Sequence, residues 1–141
     1  MAGGIRLLIV DDQAVIREGL RLTFEGTDIS VVAEAADGRV AFELLSQHSV
    51  DVALVDVRMP RADGFDFLQS VSDAGMNLPV VLMHTIDEGT KTANRCRELG
   101  ARGLILKGQD REDLLQAIRA VHAGRHLWSS GGTTTVPVGR K

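Results

Sequence analysis

The chain has 141 residues, of which 44% are hydrophobic and 25% charged, with a net charge of −3. That length suits one compact domain, and the totals argue against a nucleic-acid-binding or membrane surface. Aromatics are four Phe, one Trp and no Tyr, so the core must be aliphatic, and the single cysteine, Cys96, excludes an internal disulfide.

The N-terminus reads MAGGIRLLIVDD, an apolar run of six residues stopped at once by acids, which is no signal-peptide layout. No stretch approaches the roughly 18 apolar residues of a membrane span, so a cytoplasmic location is expected. Short apolar runs then recur: IRLLIV (5–10), ISVVAEA (29–35), VDVALV (50–55), PVVLM (79–83) and GLILK (103–107). Most are continuous rather than alternating, the mark of strands buried on both faces of a parallel sheet, and the more broken second run suits an edge. The segments between them carry helical spacing. Val15, Ile16, Leu20 and Phe24 recur at three- and four-residue steps in 14–25, and Leu114, Leu115, Ile118 and Val121 do so behind Asp110, an N-cap with acids in its first turn. Weaker helices are predicted over 38–47, 63–73 and 88–99, the last closed by Gly100.

Five βα units in succession predict an α/β fold: a three-layer, flavodoxin-like (βα)5 sandwich with right-handed crossovers and a parallel sheet of order 2-1-3-4-5. After His122 the composition turns to Gly, Ser and Thr, with Pro137 near the end. A domain over residues 1–124 and a flexible linker or tail over 125–141 are expected, with Trp128 as the one bulky residue able to pin the tail. A linker leading nowhere suggests a piece of a longer chain.

In that strand order ligands sit at the carboxyl ends of the strands, where the winding reverses. Strand 1 ends in Asp11-Asp12, strand 3 in Asp56, strand 4 in His84-Thr85 and strand 5 at Lys107. Three carboxylates, a hydroxyl and an ammonium thus meet at one rim. Like charges so close call for a cation, and an oxygen-only donor set suits Mg2+ with retained waters. A carboxylate is also a nucleophile that needs no base and accepts a phosphoryl group covalently, with the metal and Lys107 holding its oxygens.

Singly, each residue has a plainer reading. Asp12 alone is more often a helix cap, Asp56 a turn before Met59-Pro60, and Lys107 a solvated lysine. His84 alone is more often a packed histidine than a metal ligand, Cys96 a small core filler, and Lys91, Arg95 and Arg97 a solvated helix face. Only the shared rim overturns the first three.

VDD at 10–12, LVDVRMPRADG at 54–64 and LILKG at 104–108 resemble the response-regulator receiver domain of two-component signalling. AVIREGL (14–20), VAEAADG (32–38) and DVRMP (56–60) are similar to its NarL/FixJ branch, whose members usually carry a C-terminal helix-turn-helix. The resemblance spans residues 5–122 and implies roles. Asp56 would be the phosphoacceptor. Asp12 would hold Mg2+ directly and Asp11 through water, with the backbone carbonyl of Arg58 as a further ligand. Lys107 would pair with the phosphoryl group and Thr85 would supply the hydroxyl that moves to meet it. The implied function is a non-enzymatic switch that takes phosphate from a sensor histidine kinase and controls homodimerisation or a DNA-binding, transcriptional output domain absent from residues 1–141, which would not bind DNA or membrane themselves.

Three positions depart from the pattern. Counting forward from Pro79 puts the switch hydroxyl at His84, whereas counting back from Lys107 puts it at Thr85. Only Thr85 carries a hydroxyl, which makes it the expected residue. Leu104 stands where an aromatic switch is usual, and Gly108 where Asp or Pro is common. These departures support one rival, a phosphorylation-independent receiver-like interaction module. A second rival, an aspartyl phosphatase, is disfavoured because Arg58 replaces the acid two residues after the nucleophile.

Overall fold

The computed structural model describes residues 4–75, 79–86 and 89–128. Five strands, β1 (Ile5–Val10), β2 (Ile29–Ala35), β3 (Val52–Val55), β4 (Val80–Thr85) and β5 (Gly103–Leu106), alternate with α1 (Ala14–Phe24), α2 (Gly38–Leu45), α3 (Gly64–Ala74), α4 (Thr90–Glu98) and α5 (Arg111–His122). All strand pairs are parallel and the order is β2-β1-β3-β4-β5, as the sequence predicts.

The continuous apolar strands bury both faces, which gives two cores. Leu7, Ile9, Leu54, Leu82 and Ile105 pack against Leu20 and Phe24 of α1 and Leu114, Ile118 and Val121 of α5. Leu8, Val10, Val55, Val81, Met83 and Leu104 pack on the other side against Phe67, Leu68 and Val71 of α3 and Cys96 of α4. Alternation along each strand therefore fixes which face a residue serves. The edge strand β2 is less buried and carries a register shift opposite Leu7/Leu8, in keeping with its broken apolar run.

Local chemistry sets the helix ends. Asp63 and Asp66 form a reciprocal capping box at α3, with Asp66 N donating to Asp63 Oδ1 at 3.0 Å and Asp63 N to Asp66 Oδ2 at 2.9 Å. Asp110 caps α5 by accepting from Asp113 N, and Gly100, with φ 107°, follows α4 as expected.

Gly64 lies just inside the α3 cap, where a Cβ would meet the Asp56 carbonyl oxygen at 2.6 Å and Met83 Cε at 2.7 Å. The α3 N-terminus can thus approach the end of β3 only without a side chain. Gly64→Ala should destabilise the fold by about 1–3 kcal/mol through overpacking, measured by chemical denaturation. An unchanged midpoint would show that this close approach is not a constraint.

Packing against the domain continues into residues 125–128, which the composition assigns to the tail. Leu127 is buried in the first core, bridges Gly103 in parallel and donates from its N to Arg102 O at 3.0 Å, while its O accepts from Leu104 N at 3.0 Å. Gly103 makes room for it, since a Cβ there would lie 2.8 Å from the Leu127 carbonyl. Trp128 packs half-buried on the second core with Arg97 stacked 4.7 Å from its ring. Arg95 similarly lies 4.3 Å from the Phe65 ring, so these α4 arginines are more than a solvated face. The remainder of the expected tail, residues 129–141, lies outside the described residues. No helix among the described residues is long and apolar enough to cross a membrane.

Candidate functional site

The backbone ladder runs one residue past three strands and so fixes the rim. Asp11 N donates to Ala35 O at 3.0 Å, Asp56 N to Val10 O at 2.9 Å, and Lys107 N to Thr85 O at 2.8 Å. Each functional side chain thus leaves a backbone already pinned on the neighbouring strand. Arg17 of α1 ties the first turn down further, donating from Nη1 to Asp11 O at 2.7 Å.

Lys107 Nζ joins the two buried acids, lying 2.8 Å from Asp11 Oδ2 and 2.9 Å from Asp56 Oδ2. Asp11 is only 2% exposed and Asp56 7%. Burial, the largest influence on Asp56, raises its carboxyl above the usual range, opposed by the Lys107 hydrogen bond and reinforced by the Asp11 charge. Burial also works against the Lys107 charge, but the hydrogen bonds to Asp11 and Asp56 outweigh it and hold the ammonium above its ordinary pKa.

Asp12 is exposed and completes a three-carboxylate cluster whose nearest oxygens all lie within 4.8 Å of one another. Its plainer role is ruled out: the α1 N-cap is Gln13, with no side-chain cap bond, and Gln13 N donates instead to Asp11 Oδ1 at 2.9 Å. Arg58 N points back at Asp56 Oδ1, 3.4 Å away, so the chain curls around that carboxylate. Three oxygen donors beside a turn of backbone, with one ammonium against the acids, form a donor set suited to a hard divalent ion.

The two strand 4 residues part company. Leu82 faces the first core and Met83 the second, so alternation turns His84 toward α1 and Thr85 toward α3 and α4. His84 lines a cavity of about 280 Å³ with Lys107, Val15, Leu20 and Leu114. Thr85 is fully buried. Strand alternation thus places Thr85, the residue expected to supply the hydroxyl, on the face of β4 opposite that of His84. The β3–β4 pairing matches Val55 with Met83, which sets His84 opposite Asp56, and a one-residue slip would exchange the two faces. The remaining expected residues, Asp11, Asp12, Asp56, Arg58 and Lys107, are brought together. Sequence reasoning missed Arg17, whose only signal was a basic residue on the first helix.

The chain matches the response regulator receiver domain family over residues 7–119. It is 36% identical over 125 residues to YxjL of Bacillus subtilis, an uncharacterized transcriptional regulatory protein, covering 88% of this chain and 57% of that one. It is 34% identical over 125 residues to the nitrate/nitrite response regulator NarP of Escherichia coli, covering 88% and 58%. The fold matches a LuxR-family two-component response regulator from Aurantimonas with a TM-score of 0.79 and 32% identity, over 91% of each chain. The chain spans little more than half the length of these curated relatives.

Proposed function

The chain belongs to the response regulator receiver domain family, and from that premise we propose that Asp56 accepts a phosphoryl group from a sensor histidine kinase. The observation that carries this is the bridging of Asp11 and Asp56 by Lys107 beside an exposed third acid. An Asp56 carboxylate oxygen attacks phosphorus, and the bond from phosphorus to the donor's imidazole nitrogen breaks. The electron pair stays on that nitrogen, which takes up a proton. The product is an acyl phosphate on Asp56, and hydrolysis returns the carboxylate and inorganic phosphate.

Lys107 is placed to pass one of its hydrogen bonds from Asp56 to a phosphoryl oxygen, so its charge follows the transferred group. Asp11, Asp12, Asp56 and the Arg58 carbonyl are the residues that would hold Mg2+, with Asp11 acting through water. The ion would supply charge neutralisation for the phosphoryl oxygens among three acids. Asp11 is held by Lys107 and by Gln13 N, one bond to each carboxylate oxygen.

The output reading follows from the transcriptional regulators among the relatives. Residues 129–141 would link this domain to a DNA-binding domain in the longer proteins of the family, and phosphorylation would favour homodimerisation in the cytoplasm. Acetyl phosphate with Mg2+ should add one phosphoryl group to the intact protein, and EDTA should prevent it. A chain that labels with no donor, metal or temperature would instead support an interaction module that works without phosphate.

A further inference from the structure

We infer that His84 donates the hydrogen bond that holds the phosphoryl group on Asp56, in the place where the family resemblance calls for a hydroxyl residue. This rests on the phosphoacceptor reading above and adds a binding residue to it. The first support is register. The pairing of Leu54 with Leu82 and Val55 with Met83, carried one step past the end of β3, puts Asp56 opposite His84, and β5 pairs Ile105 with His84 two residues before Lys107. Asp56, His84 and Lys107 therefore lie on adjoining parallel strands, on the α1 side of the sheet. Thr85 lies on the other side.

A second support is the state of the ring itself. His84 is 7% exposed, and no hydrogen bond from a described residue reaches it. Among the described residues only Trp128 Nε1 is a fully buried side-chain polar atom without a partner, so the His84 ring nitrogens keep a path to solvent along which a ligand atom can reach them. Val15, Leu20, Leu114 and Lys107 line the same cavity as His84. An imidazole carries at least one N–H donor in either protonation state. It supplies what a hydroxyl would supply, a hydrogen-bond donor, on the strand between those of Asp56 and Lys107. His84 also precedes Thr85 and the exposed Ile86 at the end of β4, so a pull on the ring acts directly on the approach to α4.

The test uses beryllium fluoride with Mg2+ as a stable phosphoryl mimic, with affinity measured by calorimetry and acetyl phosphate labelling as a parallel assay. His84→Ala should bind beryllium fluoride about tenfold or more weakly, the loss of one hydrogen bond to a charged group. His84→Gln, which restores an N–H donor, should recover most of the affinity, and Thr85→Val should stay within about twofold of wild type. In wild type the His84 ring nitrogen resonances should shift on saturation. A weak Thr85→Val beside a normal His84→Ala, or a silent ring, overturns the inference while leaving Asp56 as acceptor. Equal weakness of His84→Ala and His84→Gln also overturns it, because the ring would then only fill space. Failure of wild type to label at all would remove the phosphoacceptor reading and this inference together. Should His84→Ala not fold, the Gln variant and the ring resonances decide the matter.

Discussion

Replacing Lys107 by Met should lower stability by about 3 kcal/mol at neutral pH in EDTA, since it leaves Asp11 and Asp56 buried side by side without their cation. The Met keeps most of the volume, so the change isolates charge. For a domain of this size the loss should read as a fall of about 10 °C in melting temperature. Two signs distinguish electrostatics from packing. The loss should shrink as the pH falls toward the carboxylate range, because protonation removes the repulsion. Mg2+ should recover part of it, by binding the folded site alone. A deficit that is constant with pH and blind to Mg2+ would show that the Lys107 stem, not its charge, carries the effect.

Acid should weaken the fold through His84 before most carboxylates titrate. Its folded pKa is about 4 against an ordinary 6.5, owing to burial first and the Lys107 charge second, with Asp11 pulling the other way. Between those two pH values the unfolded chain binds a proton that the folded chain excludes. The corresponding stability is complete above pH 6.5 and declines as the pH falls toward 4, by about 3 kcal/mol in all. His84→Gln should flatten that part of the curve, whatever its effect at pH 8. A wild-type profile already flat between pH 4 and 6.5 would mean that the ring protonates freely in the fold.

Strand and helix placement was legible because each buried strand is a continuous apolar run with a sharp polar stop. IRLLIV became Ile5–Val10 and ISVVAEA became Ile29–Ala35 without a shift, and the sheet order followed from five βα units. Asp11, Asp56 and Lys107 were legible for a related reason: each stands one residue beyond a strand, where the ladder still fixes its direction. Strand 4 was different. Its two candidate residues are adjacent, counts from Pro79 and from Lys107 disagree by one, and adjacent strand residues face opposite ways. Only the pairing with β3 and β5 separates His84 from Thr85. The reach of the fold to Leu127 was hidden because the surrounding Gly, Ser and Thr composition reads as linker. The space left by Gly103 exists only in three dimensions.

The central claim is that Asp56, among three neighbouring acids, is the one that carries the phosphoryl group. Trypsin separates the candidates cleanly, since cleavage after Arg6 and Arg17 releases LLIVDDQAVIR (7–17) and cleavage after Arg39 and Arg58 releases VAFELLSQHSVDVALVDVR (40–58). After incubation with acetyl phosphate and Mg2+, rapid digestion and tandem mass spectrometry should place one phosphoryl group in the peptide 40–58, on Asp56, with none in 7–17. Modification of Asp11 or Asp12 in 7–17, or unchanged labelling of an Asp56→Ala protein, would contradict the account.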